Sequence, residues 1–417
     1  MTTSTLTSPR SVAISSRALV PGPAAITAIA IALAAWYLNA VISWRQAALF
    51  MVGAFAGVAL YHAAFGFTSA WRVFIADRRG AGLRAQMLML AVTCAVFFPL
   101  LASGTVFGQA VRGSISPIGV GVVAGAFIFG LGMQLGGGCA SGTLFSVGGG
   151  STRMLLSLFF FIFGSAIGTA HMGWWSAQPA WPATSVVTTM GPWAALATSL
   201  ILFGAIAWFT MFAERKRHGR LVDDSKPARP STSLRAGGPR WLTGPWPLVA
   251  GAIGLAVVNI ATLTIGGRPW GVTSGFALWG AKWFAALGVD VSSWSYWQAP
   301  AQAAALKSSV LMDVTSVMNF GIILGALLAA ILAGRFAPGL NISRRSVAAA
   351  VIGGLMLGYG ARVAYGCNIG AYFSGIASGS LHGWLWLVAA FAGNIAGTRL
   401  RPMFDLPVER TRGAMTN

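Results

Sequence analysis

Acidic residues are scarce in this chain: 8 Asp/Glu stand among 417 residues, against 28 Lys/Arg. Charged residues of both signs make up only 9%, while 56% of the chain is hydrophobic and the mean hydropathy is +0.72. A water-soluble protein of this size needs far more charge to cover its surface, so the chain is an integral membrane protein. Cysteine is scarcer still, and three thiols exclude a disulfide scaffold. The four histidines, His62, His171, His218 and His382, share no ligand spacing. No phosphate-binding loop, dinucleotide fingerprint, metalloprotease motif or hydrolase elbow occurs, so nothing calls for ATP, a metal or another cofactor on this chain.

What is abundant is glycine and positive charge. The 54 glycines suit helices that approach closely in lipid. A net charge of +20 would suggest nucleic acid in a soluble protein. Here most basic residues lie in a few short loops and the tails, so the positive-inside rule accounts for the excess and no nucleic-acid partner is expected. The first 20 residues are rich in Ser and Thr, with Arg10 and Arg17, and lack the apolar core and cleavage site of a signal peptide.

Runs of about 20 apolar residues predict spans near 24–44, 47–66, 86–104, 118–136, 154–172, 191–212, 246–265, 310–334, 346–364 and 383–400. Basic residues fill the loop with Arg72, Arg78, Arg79 and Arg84, the loops 213–245 and 335–345, and the tail with Arg399, Arg401, Arg410 and Arg412. Segments 105–117 and 173–190 carry only Arg112. Ten spans with both termini cytoplasmic satisfy this alternation. The expected class is therefore an all-α polytopic membrane protein in the lipid bilayer.

Four apolar or Gly-rich stretches are too short to span: 62–71, 138–150, 271–288 and 366–379. Irregular backbone at membrane depth is tolerated only inside protein or around a wet cavity, so the two cysteine-bearing stretches read as re-entrant half-helices. Tight turns at the surface are the alternative. These two stretches also match each other. At an offset of 228, Cys139 falls on Cys367, Gly130 on Gly358, Gly138 on Gly366, Gly142 on Gly370 and Ser146 on Ser374. After one inserted residue the match resumes, with Gly150 on Gly379, Ser151 on Ser380 and Gly164 on Gly393. Loop charges turn the two copies head to head, which gives an inverted-topology repeat with its site near the midplane. The expected organisation is a cytoplasmic tail (1–23), an extra first helix (24–46), a first repeat (47–190), a connecting helix (191–212), a basic linker (213–245), the inverted second repeat (246–400) and a cytoplasmic tail (401–417).

The candidate site residues follow from the repeat. Cys139 and Cys367 sit among Gly138, Ser141 and Gly142, and among Gly366, Asn368 and Gly370, where bare backbone N–H groups and half-helix N-termini suit an anion. A soft thiol suits a sulfur-bearing ligand. The alternative is two small thiols packed at helix crossings. Arg362, whose repeat partner is Gln134, either grips an oxyanion with its guanidinium fork or snorkels to the outer face. Cys94 has no glycine around it and no repeat partner, and reads first as a buried structural thiol. Asp313 and Lys307 are expected to pair with each other or with Lys282 and Asp290.

The stretches "GGGCASGTLFSVGGGS" and "GYGARVAYGCNIGAYFSGIASGSLHGWLW" resemble the YeeE/YedE family of bacterial inner-membrane sulfur transporters, over most of the chain. The resemblance implies an hourglass lined by short helices, with thiosulfate passing by thiol–sulfur hydrogen bonds and Cys139 and Cys367 as the relay. The family's further cysteine in the first re-entrant stretch has no counterpart in "YHAAFGFTSAW". The expected function is thus uptake of a small sulfur anion, thiosulfate first, by a permease and not an enzyme. A membrane sulfurtransferase or persulfide carrier, or transport of another sulfur or selenium compound, stays open. The linker 214–240 reads as a topology signal or a dock for a cytoplasmic sulfur-accepting protein.

Overall fold

The computed structural model describes residues 21–222, 239–339 and 342–408. Arg10, Arg17, Arg410 and Arg412, and the middle of the expected linker, lie outside the described residues. The helices that carry the fold are α1 (Pro21–Val41), α2 (Trp44–His62), α3 (Phe67–Asp77), α4 (Ala81–Ser103), α5 (Val120–Gly136), α6 (Ala140–Gly148) and α7 (Thr152–Ala170). They continue with α8 (Pro192–His218), α9 (Leu248–Gly266), α10 (Thr273–Ala286), α11 (Val314–Leu332), α12 (Arg344–Val363), α13 (Ser374–Ala377) and α14 (Leu381–Leu400). A π-helical turn, Asn368–Phe373, leads into α13. Among the described residues sheet is confined to two pairs of two-residue strands in the connecting loops. The protein is an all-α polytopic membrane protein.

Among the described residues nine helical segments are long and apolar enough to cross a membrane. The tenth expected span, 383–400, is the 20-residue helix α14, which falls outside those nine. It turns His382, Trp386 and Asn394 inward, where all three are fully buried. The four short stretches are helical too. The first extends further than expected, through Asp77, so Arg72 lies buried within a helix and not in a loop.

Related elements meet related elements. Helix α5 packs on α12, α12 on α7 and α5 on α14; α11 packs on α2 and α9 on α4; α11 also meets α6 as α4 meets α13. The pairing of α5 and α12 is antiparallel, since Gly125 lies against Ala364 and Gly132 against Leu357. The two copies therefore run in opposite senses across the membrane. Helices outside this core follow the same logic, with α1 on α2 and α11, and α8 on α4.

Glycine makes these crossings close. A Cβ at Gly358 would strike the carbonyl oxygen of Phe161, and one at Gly130 would strike that of Ala390. Gly164 meets the Leu355 carbonyl as Gly393 meets that of Phe127. Each pair of contacts maps onto the other under the alignment of the two cysteine motifs. Lipid tails are as apolar as Leu, so helices in a bilayer associate through such backbone-to-backbone packing and not by escaping solvent.

Candidate functional site

Each cysteine stands at the mouth of a short helix. Helix α5 ends at Gly137, which holds φ 94°, and α12 ends before Tyr365, at φ 59°. These left-handed residues occupy matching positions and reverse the chain, so the next residues re-enter the protein. Cys139 then caps α6 in extended conformation (φ −80°, ψ −172°), and Cys367 takes the N-cap position of the π turn in nearly the same one (φ −101°, ψ −168°), without a side-chain capping bond. The thiol of Cys139 accepts from the Gly142 N–H at 3.4 Å and lies 3.5 Å from the Ser141 hydroxyl. It does what Ser or Asp usually does at a helix start. Both cysteines are free and buried, 1% and 0% exposed, and α6 packs against the π turn.

The two halves differ by one residue, and the longer half is the one with the π turn. The Cys367 carbonyl accepts from Ala371 N at 2.8 Å and from Tyr372 N at 3.4 Å, so the first turn is wider than in α6. A single extra residue in a helix produces this local widening. Within that turn Asn368 is fully buried, and neither its Nδ2 nor its Oδ1 has a hydrogen-bond partner. Beside Gly370 there is open space: a Cβ there would meet no atom within 4 Å. At Gly366, by contrast, a Cβ would come within 2.7 Å of the Ala371 nitrogen. An unpartnered buried amide, a thiol and an open flank thus lie within four residues.

The second half-helix is held from several sides. Asn259 Nδ2 donates to Ser374 Oγ at 3.1 Å, and Ser374 donates to the Trp270 carbonyl at 2.7 Å. Ser114 Oγ donates to the Gly370 carbonyl at 3.2 Å, and its N–H donates to Ser378 Oγ at 2.9 Å. The Cys94 thiol lies 3.9 Å from the Ile376 carbonyl. Cys94 therefore touches the second half-helix from α4, a contact 282 residues distant in sequence that no local pattern announces. Tyr372 stacks on Trp386 at 6.3 Å between ring centroids and meets Trp71 edge-on.

Arg362 and Gln134 occupy matching helix ends but have different surroundings. Arg362 is largely buried: it is 9% exposed, its Nη1 donates to Tyr296 Oη at 3.0 Å, and its Cζ lies 4.9 Å over that ring. Gln134 is fully buried, donates to Asn394 Oδ1 at 2.5 Å and accepts from Arg72 Nη1 at 3.4 Å. Two more guanidiniums meet this end of α5. Arg401 donates to the Gln134 carbonyl at 2.6 Å, and Arg153 donates to the carbonyls of Leu135 and Gly136. Cations there offset the negative end of the α5 dipole immediately before Cys139. The sequence did carry a signal for Arg153: a cation in the first turn of α7 opposes that helix's own dipole.

The expected pairing of Asp313 and Lys307 with Lys282 and Asp290 does not occur. Asp313 caps α11 through Ser316 and lies 3.7 Å from Arg268. Lys282 donates to the carbonyls of Leu306 and Ser308 instead. Backbone acceptors at the end of a short helix, Pro300–Lys307, satisfy that ammonium and leave the carboxylates to nearer donors. Among the described residues no group of three or more His, Cys, Asp or Glu could hold a metal ion.

The family described as Sulphur transport matches residues 62–396. The chain belongs to the sulphur transport family. Relatives of this family member include the "Probable transporter YedE" of Escherichia coli, 33% identical over 171 residues, and that of Salmonella typhimurium, 32% identical over 171 residues. Each of these matches covers 40% of this chain and 42% of the relative's length. The "Thiosulfate transporter TsuA" of Spirochaeta thermophila is 26% identical over 366 residues, which covers 82% of this chain and 95% of that protein.

Proposed function

We propose that the protein is a permease for a small sulfur oxyanion, thiosulfate first, which passes between the N-termini of α6 and the π turn. The observation that carries this reading is the pair of buried cysteines, each at the N-cap of a half-helix of opposite sense at matching positions. First-turn N–H groups have no intrahelical acceptor and face a negative ligand with positive dipole. Cys139 and Cys367 offer S–H donors to the terminal sulfur in turn, and Asn368 offers the amide that a departing water shell would leave unmatched. Gly370 leaves the backbone uncovered on the path, and Gly138, Ser141, Gly142 and Gly366 complete the two cysteine turns. Arg362 and Gln134 hold the two helix ends from which the half-helices turn, and Cys94 braces the second.

Orientation follows from charge. The basic ends of α4 and α8 meet where Arg84 pairs with Glu214, and Arg345 pairs with Asp405. With this face cytoplasmic, both termini lie inside and transport delivers sulfur to a cytoplasmic acceptor protein. The test is uptake of labelled thiosulfate in cells stripped of other sulfur routes. Expression of the protein restores uptake, and Cys139→Ala or Cys367→Ala reduces it at least tenfold. Full uptake in both variants would remove the relay. A lasting mass increase on either cysteine after turnover would replace passage by covalent carriage.

A further inference from the structure

Away from the cysteines, a cleft of about 860 Å³ opens between the ends of α3 and α14. Its apolar wall includes Ile75, Phe391 and Ile395, and its rim includes Arg78, Thr398 and Arg399. Three observations mark its chemistry. Arg78 and Arg399 are exposed and form no ion pair with any described residue. Thr398 is 7% exposed, and its hydroxyl is buried without a hydrogen-bond partner. Arg78 also keeps a left-handed backbone, φ 61°, where a side chain is disfavoured, and lies over the Phe74 ring at 5.7 Å. On the other side of Arg78 a second cleft of about 400 Å³ is formed by Phe209, Phe212, Lys216 and Arg217. Two cation-rimmed grooves with aromatic side chains in their walls thus share Arg78, which directly follows α3.

We propose that this groove binds an anionic phospholipid. The phosphate sits between Arg78 and Arg399 with a hydrogen bond from Thr398, and an acyl chain lies along Phe391 and Ile395. Charge complementarity selects the ligand: the rim offers cations and a hydroxyl, and the wall is apolar. Basic pockets between helices on the face richer in Lys and Arg recognise lipid headgroups in this way. The site is separate from the substrate path and does not depend on what the protein transports.

The test uses the full chain purified in neutral detergent and probed with phosphatidylglycerol, phosphatidylcholine or glycerol phosphate, with bound lipid counted by native mass spectrometry. Phosphatidylglycerol is retained and raises the unfolding temperature, while phosphatidylcholine and glycerol phosphate do neither. Each basic side chain near a lipid surface is worth about fivefold in affinity, so the double variant Arg78→Gln/Arg399→Gln loses about 25-fold. Thr398→Val weakens binding further, and unfolding in detergent alone is unchanged. If the double variant does not accumulate, Arg399→Gln alone, at an exposed position, makes the same comparison at about fivefold. Equal retention of phosphatidylcholine, binding of glycerol phosphate by itself, or phosphatidylglycerol binding unaltered in the variants would each overturn the proposal.

Discussion

Gly370→Ala is expected to move stability and transport in opposite directions. Gly370 does not hold a positive φ, and a Cβ there meets no protein atom within 4 Å. Replacing glycine by alanine at such a position stabilises by about 0.4–1 kcal/mol, because the unfolded chain loses freedom. The protein should therefore melt at the same temperature or slightly higher. The new methyl, however, projects into the open flank beside Cys367, on the proposed path. Crowding a close-fitted passage by one methyl costs about 1–3 kcal/mol. Applied to the passage barrier, that is about 5- to 150-fold in rate. The assay is thermal unfolding of purified protein beside the initial rate of labelled thiosulfate uptake per molecule in the membrane. Gly370→Leu should be slower still. If both variants fold, reach the membrane and transport at the wild-type rate, the open flank is not the path and the reasoning fails.

Three other outcomes follow from the same structure. Asn368→Leu removes an amide that has no partner in the protein, so the variant should gain about 1–3 kcal/mol in unfolding free energy while losing uptake; a loss of stability would mean that the amide is already satisfied. Gly358→Ala drives a methyl into the Phe161 carbonyl, and should destabilise by at least about 1–3 kcal/mol, read as a lower melting temperature, with Gly130→Ala matching it. Glu214 is fully buried and accepts from Arg84 at 2.7 Å, Gly80 N at 3.1 Å and Val222 N at 2.9 Å. Glu214→Ala leaves those donors unmatched and should cost about 1–3 kcal/mol, measured by denaturant unfolding in micelles.

Much of this architecture was legible because the bilayer allows few solutions. Spans must be long, apolar and helical, and the expected 118–136 and 154–172 lie within two residues of α5 and α7 at each end. Duplication was legible because glycine at a backbone contact has no substitute, and the matched pairs Gly130/Gly358 and Gly164/Gly393 stand at the crossings. What stayed hidden depended on contacts distant in sequence. Nothing near Arg362 announces Tyr296, and nothing near Gln134 announces Arg72, Arg153 and Arg401. The π turn was hidden for a different reason: one inserted residue can be absorbed by a loop, a bulge or a wider turn, and only packing around Tyr372 and Ser374 decides which. The apolar segment 271–288 is too short to span, and α10 within it is a 14-residue helix that packs against α7 and α11.

Main-chain contact at the symmetry-matched crossings bears on how the molecule sits in its bilayer. Helices separated by long side chains can slide or tilt while those side chains adjust. Helices that touch at a carbonyl and a glycine have no such cushion, and a shift of half an ångström already forfeits much of the contact. The four helices α5, α7, α12 and α14 therefore act as a fixed casing, and motion falls to the short pieces packed beside them. A casing of constant height and tilt presents an unchanging belt to the surrounding lipid. Turnover in such a protein need not strain the membrane, and its rate should be nearly indifferent to bilayer thickness, unlike that of carriers whose halves rock against each other.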